Sequence, residues 1–165
     1  MLIILVLVSQ VLPGAVHVER RIAINATPEV VFPFVNSPKK TEEWSPWLER
    51  DRNAALKYEG PDAGVGAKLI WRSDVPEVGA GTLTVTESQP NLLVRVALTF
   101  VGHGDAAAYH QLTSTTRGTI VVWGLDVTLS RNPIERYFGL FFDSMIGADY
   151  ERGLANLKNV VERAR

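Results

Sequence analysis

The sequence contains no cysteine among its 165 residues. The absence of thiols excludes a disulfide framework, a thiolate nucleophile and zinc sites built on cysteine ligands. It does not select a redox compartment, because a chain without thiols is compatible with oxidising and reducing surroundings. The three histidines, His17, His103 and His110, form no i, i+4 pair on a predicted helix. The sequence therefore predicts no metal site, and nothing in it calls for another cofactor.

Net charge is also nearly absent. The chain carries 17 Lys and Arg against 18 Asp and Glu, for a formal net charge of −1, and no basic run is interleaved with aromatic residues. Nucleic-acid binding requires such a basic footprint, so we expect no nucleic-acid partner. The sequence also lacks the GxSxG, HExxH, Walker and GxGxxG motifs, and no catalytic constellation is evident. With 46% apolar residues, its length and composition are those of one globular domain.

Long apolar runs are confined to the start of the chain. Residues 1–12 are almost wholly apolar and are followed by Pro13 and Gly14. A run of about a dozen residues is too short to span a bilayer, which needs about 20, and no Lys or Arg precedes it as in a signal peptide. Three interpretations remain open: the stub of a membrane anchor, a short interfacial anchor, or a buried strand. Because the run lacks the polar alternation of a half-exposed strand, we favour the stub of a membrane anchor over residues 1–14, and hence a membrane-anchored soluble domain over residues 15–165.

A strand and two short helices are predicted at the beginning of this domain. Alternating apolar residues over 16–24 indicate the strand. Thr27 as N-cap and Pro28 at the first helical position predict a short helix that ends at residues 36–38. A second brief helical turn is predicted over residues 39–44, where Ser45-Pro46 stops it.

A series of strands and one long helix complete the predicted elements. Turns rich in Gly, Pro and Asn separate the predicted strands, which cover residues 56–59, 67–72, 81–87, 93–100, 109–114 and 119–129. Strands at this spacing indicate a meandering antiparallel sheet rather than βαβ units. Asn132 as N-cap and Pro133 at the first helical position then predict a helix that continues to Arg165.

The apolar residues of the long helix form two stripes. The first consists of Tyr137, Phe138, Phe141 and Met145, and the second of Tyr150, Leu154, Leu157 and Val161. At 100° per residue the two stripes are rotated by on the order of 140° from each other. The change of direction falls at Gly147, where the helix can kink or break, so we expect its two halves to pack differently.

Asp143 lies at the same helical angle as the second stripe. If that stripe faces a cavity, the Asp143 carboxylate projects into it, and burial would raise its pKa. Such a group could act as a general acid or bind a polar head group, which makes Asp143 the candidate catalytic residue. The alternative is a solvated helix residue or the partner of a sheet arginine such as Arg95.

Several local strings, in the order given by these elements, resemble one protein family. The strings are Val18–Ala26 with Pro28, Glu43–Trp47, Tyr58–Pro61, Gly64–Ala67, Thr84–Ser88, Asn132–Leu140, Ile146-Gly147 and Gly153–Lys158. Together they resemble the SRPBCC (START-like) superfamily, and within it the polyketide cyclase/dehydrase-like group. The resemblance implies an α+β helix-grip fold, in which a curved antiparallel sheet of about six to seven strands wraps around the long C-terminal helix after two short helices.

The resemblance also implies a cavity between the sheet and the long helix. We expect the residues that line it to include Trp44, Trp47, Tyr58, Trp71, Trp123, Asp143, Tyr150 and Leu154. Core packing is the alternative for the tryptophans.

One scaffold of this kind supports several functions, so three hypotheses stay open. The first is a binder of an apolar or lipid-like small molecule without an evident catalytic constellation. The second is a polyketide cyclase/dehydrase-type enzyme that uses Asp143 and a tyrosine as acid–base groups. The third is a protein-interaction module like the chaperone activators of this fold. Membrane association through the N-terminal segment is a further expectation.

Overall fold

A computed structural model describes residues 11–130 and 132–164. Within these ranges the elements in chain order are β1 (Ala15–Ile24), α1 (Pro28–Asn36), α2 (Pro38–Thr41), α3 (Pro46–Arg50), β2 (Ala55–Glu59), β3 (Lys68–Arg72), β4 (Ala80–Gln89), β5 (Leu93–Phe100), β6 (Gly104–Thr115), β7 (Gly118–Thr128) and α4 (Pro133–Arg163). The predicted first strand, the antiparallel sheet and the long helix are confirmed. Residues 1–10, on which the expected anchor falls, lie outside the described residues.

One short helix was not expected. Ser45-Pro46 was predicted to stop the helical turns after α1, but it begins α3 instead. The Ser45 hydroxyl accepts a hydrogen bond from the Leu48 backbone N–H at 3.4 Å, and Pro46 occupies the first helical position. A serine followed by proline is a good N-terminal sequence for a helix, and this role prevails here over the stop signal.

The seven strands form one antiparallel sheet in the order β1-β7-β6-β5-β4-β3-β2. Residues that lie opposite one another on neighbouring strands form rows across the sheet. One row that faces α4 consists of Val18, Leu125, Ala108, Val96 and Val85. Each of these side chains is at most 5% exposed. A β-bulge between Val85 and Glu87 interrupts the pairing of β4 with β5. Bulges increase local twist and bend the strand, which favours a concave sheet.

Helix α4 begins with the predicted cap and is continuous. The Asn132 side chain accepts a hydrogen bond from the Ile134 backbone N–H at 3.0 Å, and Pro133 follows at the first helical position. The helix does not break at Gly147. The structure gives this glycine a different role, because a Cβ built there would overlap the guanidinium of Arg20 on β1.

The two halves of α4 present different faces to the sheet. The second predicted stripe is the buried one: Tyr150, Leu154, Leu157 and Val161 are at most 2% exposed. In the first stripe, Phe141 is 61% and Met145 is 59% exposed, and the Phe138 side chain lies outside the described part of the chain. Phe142 and Ile146 pack against the core from this half instead.

Candidate functional site

Five aromatic rings meet between the concave face of the sheet and α4. We call them the aromatic cluster: Trp44, which precedes α3, Trp47 on α3, His110 on β6, Trp123 on β7 and Tyr150 on α4. Trp123 lies at its centre, stacked on Tyr150 with ring centroids 3.8 Å apart and an interplanar angle of 15°. Trp44 and Trp47 meet Trp123 edge-on, at 5.2 and 5.9 Å. Offset and edge-to-face contacts of this kind stabilise aromatic groups beyond the burial of their area.

Local features hold the cluster against the helix. The indole N–H of Trp44 donates to the Phe34 carbonyl at 3.0 Å, which anchors the ring to the end of α1. Gly153 faces Trp123, and a Cβ there would lie 2.6 Å from the indole ring and 3.0 Å from Pro46. The absence of a side chain at Gly153 therefore allows α4 to approach both α3 and the sheet closely.

His110 is the polar member of the cluster. It is 6% exposed, stacked on Trp123 at 5.2 Å and edge-on to Trp44 at 5.6 Å. None of the described residues forms a hydrogen bond with either of its buried ring nitrogens. Burial lowers the pKa of His110 to about 3, so the imidazole is neutral at pH 7.

Side chains rather than open space occupy the centre of the expected cavity. Trp44, Trp123 and Tyr150 are at most 6% exposed, whereas Trp47 is half-buried and forms the outer edge of the cluster. A row of the concave face next to the fully buried one remains half-buried; it contains Val16, Val127, Ala106, Leu98 and Leu83. Ligand entry between the sheet and α4 therefore requires aromatic rings to move.

A surface groove of about 470 Å³ adjoins the cluster at Trp44. Its walls include Ser45, Asn156 and Val160, and its charged residues are Glu42, Glu43, Glu49, Asp51, Arg52 and Arg163. An apolar ligand binds in a pocket with mostly apolar walls, and this groove has too many ionic groups for that. We therefore centre the candidate site on the aromatic cluster.

Two of the predicted lining residues lie elsewhere on the sheet. Tyr58 on β2 hydrogen-bonds the Glu42 carboxylate, and burial, together with this bond, raises its pKa. Trp71 on β3 donates its indole N–H to the Val78 carbonyl at 3.1 Å and packs on Phe100 at 5.8 Å. Trp44, Trp47, Trp123 and Tyr150 do come together, and Leu154 is buried one helical turn from Tyr150.

Asp143 does not project into the interior. Its side chain is 61% exposed, and both carboxylate oxygens accept hydrogen bonds from Arg20 at 3.0 Å. These bonds lower the pKa of Asp143, so the expected raised pKa was wrong. The partner is a sheet arginine, as the alternative proposed, but it is Arg20 and not Arg95. Arg95 lies on the convex face, where it pairs with Glu87 at 3.1 Å.

Sequence reasoning missed the contributions of Arg20 and His110. The sequence could have revealed both residues, because each lies on the same side of its strand as buried apolar residues. Arg20 shares that side with Val18 and Ile24, and His110 shares it with Ala108 and Leu112. A polar residue at an apolar position of a strand is informative because its burial requires a partner.

The comparisons with known proteins agree with this architecture. The sequence matches the profile of the family described as "Polyketide cyclase / dehydrase and lipid transport" over residues 15–162. No curated protein matches the chain.

Among solved structures, the protein of unknown function SA2116 from Staphylococcus aureus superposes with a TM-score of 0.70 at 11% identity, over 91% of this chain and 95% of that one. The di-domain ARO/CYC StfQ from the steffimycin biosynthetic pathway gives 0.67 at 12% identity, over 91% of this chain and 51% of StfQ. The Aha1 dimer from Colwellia psychrerythraea gives 0.59 at 18% identity, over 89% and 96% of the two chains.

Identities this low establish a shared fold and not a shared activity. The family assignment rests on the sequence profile, which covers the domain from β1 to the end of α4. This chain is a member of the polyketide cyclase/dehydrase and lipid transport family, and it has the helix-grip fold.

Proposed function

We propose that this protein binds an apolar small molecule with a planar ring system between the sheet and α4, at the aromatic cluster. The observation that carries the proposal is the stack of Tyr150 on Trp123, edged by Trp44 and Trp47, on the concave face of the sheet. A planar ligand can replace one ring of such a stack and keep its face-to-face contact. The family, whose description includes lipid transport, supports an apolar ligand.

The half-buried residues next to the cluster supply the rest of such a site. An apolar surface continues across the sheet from the cluster through Val127, Ala106, Leu98 and Leu83. Phe142 and Ile146 on α4 pack against the same hydrophobic core. Ligand pockets are mostly apolar surfaces with few polar groups, and this surface has that composition. Trp47 is the ring of the cluster that can move as a ligand enters and still contact it once bound, because it is only half-buried and lies on a short helix.

Native mass spectrometry of gently purified protein, followed by organic extraction, is the first test. We expect a discrete apolar adduct. Titration with naphthalene, followed by amide chemical shifts, should then perturb residues around Trp123 and Tyr150. An empty protein that also fails to respond to naphthalene would refute the proposal.

Two tryptophan variants locate the site. Trp47→Leu removes a ring of the cluster and should weaken naphthalene binding by roughly threefold to tenfold, the range expected for one aromatic contact. Trp71→Leu is the matched control, because Trp71 is also half-buried but packs on Phe100 at another part of the sheet. Weaker binding in Trp71→Leu but not in Trp47→Leu would move the site to β3.

A cyclase/dehydrase-type reaction that uses Asp143 as an acid–base group finds no support in the geometry. That mechanism needs a carboxylic acid that exchanges protons inside the apolar space. Asp143 is on the outside of α4, paired with Arg20, and its lowered pKa keeps it ionised.

A second candidate function uses the outer face of α4. Ile134, Phe141 and Met145 are 59–66% exposed and lie within about 40° of one another at 100° per residue. We propose that this stripe contacts a membrane surface. Within the described ranges, no helix has both the length and the apolar character needed to cross a bilayer.

Vesicle sedimentation tests this second candidate. Phe141→Ser with Met145→Ser should reduce co-sedimentation of the full chain with phosphatidylcholine vesicles. Val101→Ser, at an exposed apolar residue between β5 and β6, is the control and should not reduce it. If the double variant sediments normally but loses a protein partner in pull-downs, the stripe serves the interaction-module hypothesis instead.

A further inference from the structure

We infer that His110 is the specificity-determining contact of the proposed site, and that the ligand is an aromatic compound with a hydroxyl group that hydrogen-bonds this imidazole. The inference rests on the proposed function, because it concerns a ligand at the aromatic cluster. It adds a polar group to a ligand otherwise defined only as apolar and planar.

The first argument is that no described residue forms a hydrogen bond with the His110 ring. A buried polar group normally has a hydrogen bond, and the exceptions require an explanation. Both ring nitrogens are buried, and the described residues provide neither with a donor or an acceptor. Burying these nitrogens without hydrogen bonds lowers the free energy of unfolding, and replacing the histidine with an apolar residue would remove this loss.

The second argument is the position of the ring. His110 pairs across the sheet with Trp123 on one side and with Val94 on the other, so its neighbours in the row are apolar. It stacks on the opposite strand's Trp123, the same ring that stacks on Tyr150. A planar ligand that displaces a ring of the cluster therefore lies close to this imidazole, whose ring centroid is 5.2 Å from that of Trp123.

The third argument is the chemistry that a neutral imidazole offers. Burial lowers the pKa of His110 to about 3, so at neutral pH one ring nitrogen donates and the other accepts. A hydroxyl group can bind either nitrogen, because it is both a donor and an acceptor. A carboxylate ligand would suit an imidazolium, which this environment disfavours.

The test compares 2-naphthol with naphthalene, two ligands that differ by one hydroxyl group. We expect the wild-type protein to prefer 2-naphthol over naphthalene about tenfold more strongly than His110→Phe does. This is the effect of one hydrogen bond to a buried group. His110→Gln can still hydrogen-bond and should retain part of the preference. His110→Leu serves as a second apolar variant if phenylalanine does not fit.

The outcomes separate the inference from the function on which it rests. If neither compound binds the wild-type protein, the proposed function fails. If both bind and the ratio of their affinities is the same in His110→Phe and His110→Leu, the site stands but the role of His110 is overturned.

Denaturation without ligand gives an independent readout. His110→Phe or His110→Leu should unfold at an equal or higher denaturant concentration than the wild-type protein, because an unsatisfied polar group is removed. Clear destabilisation in both variants would show that His110 has a structural partner, such as a buried water molecule, and would also overturn the inference.

Discussion

Arg20 on β1 binds both carboxylate oxygens of Asp143 on α4, with each nitrogen-to-oxygen distance 3.0 Å. Its Nε donates to Glu151, two helical turns further on, at 2.9 Å. The guanidinium thus lies against the helix at Gly147, between these two acids. It fits there because glycine has no side chain. A single arginine therefore ties the edge strand of the sheet to α4.

We predict that Gly147→Ala destabilises the protein. Alanine is about 1 kcal/mol better than glycine in a helix interior, yet its methyl group would overlap the Arg20 guanidinium. Arg20 must then leave its two acidic partners, and we expect the free energy of unfolding to fall by about 1 kcal/mol in urea denaturation.

The matched control is the same substitution in an Arg20→Ala background. There the guanidinium is gone, and Gly147→Ala should stabilise the protein through its helix propensity. The same destabilisation in both backgrounds would show that Gly147 is required by the backbone and not by Arg20.

Asp143→Asn should reduce stability in a pH-dependent way without affecting ligand binding. The hydrogen bonds from Arg20 lower the pKa of Asp143 below its ordinary value of 3.8. The stability from this pair is therefore present above pH 3.8 and is lost as the pH falls through the lowered pKa. Thermal melts should show a less stable variant at pH 7 and a difference that disappears in acid.

Asp105→Asn, on the exposed start of β6, is the control for a general loss of negative charge. Unchanged naphthalene binding in Asp143→Asn is also expected, because the carboxylate is outside the interior. Loss of binding by a folded Asp143→Asn protein would contradict the placement of Asp143 described here.

His110 should make the wild-type protein sensitive to acid. Burial lowers its pKa from 6.5 to about 3, so its neutral form is favoured in the folded state. Its contribution to stability is complete above pH 6.5 and is lost as the pH falls below 6.5, with a slope of up to about 1.4 kcal/mol per pH unit. Between pH 7 and pH 4, His110→Phe should therefore gain stability relative to the wild-type protein.

His17 provides a control of opposite sign. The hydrogen bond with Asp126 raises the pKa of His17, so its contribution is complete below pH 6.5 and is lost as the pH rises through the raised value. His17→Gln should thus lose stability relative to the wild-type protein as the pH falls. A His110→Phe curve parallel to the wild-type curve would contradict the burial of a neutral imidazole.

Gly124→Ala should displace Tyr109 from the convex face of the sheet. The Tyr109 ring lies over Gly124, where a Cβ would overlap it, and its hydroxyl donates to Glu19 at 2.6 Å. Burial and this hydrogen bond raise the pKa of Tyr109 to about 12. We expect a loss of about 1–3 kcal/mol in stability from the overlap, and a decrease of the Tyr109 pKa toward 10 in an NMR titration.

Tyr109→Ala is the control, because it removes the ring that the new methyl group would meet. In that background Gly124→Ala should have little further effect. An unchanged Tyr109 pKa in the single variant would show that the ring accommodates the methyl group in place.

Much of the fold followed from local patterns. Alternating residues marked β1 and β5, Thr27-Pro28 and Asn132-Pro133 marked the starts of α1 and α4, and Gly or Pro turns separated the strands. These signals are local because a strand or helix start depends on neighbouring residues. Ser45-Pro46 was misassigned because the same pair can end one helix and begin the next.

The candidate site was only partly predictable. The aromatic residues are conspicuous in the sequence, but the sequence does not show which of them lie together. Trp47 contacts Trp123, whereas Trp71 contacts Phe100. Which rings meet depends on strand order and on the angle of α4, and both are set by contacts between residues far apart in the chain.

The helical angle of Asp143 was also insufficient to place it. The angle matched the buried stripe, yet Arg20 reaches α4 from β1 and keeps the carboxylate at the surface. The sequence period defines the apolar face of an amphipathic helix. Whether a residue at the border of that face is buried depends on the segment that packs against the helix.

By itself, then, the sequence determined the order of the elements, the antiparallel sheet, the capped C-terminal helix and the family resemblance, because each depends on residues close together in the chain. The tertiary structure alone decided that Gly147 and Gly153 lie where side chains would collide and that α4 is continuous. It also decided that Arg20 pairs with Asp143 and lowers its pKa, and that His110 is buried without a hydrogen bond to any described residue. Each of these depends on contacts across the sheet and helix, which local patterns do not specify because they form only when distant segments pack together.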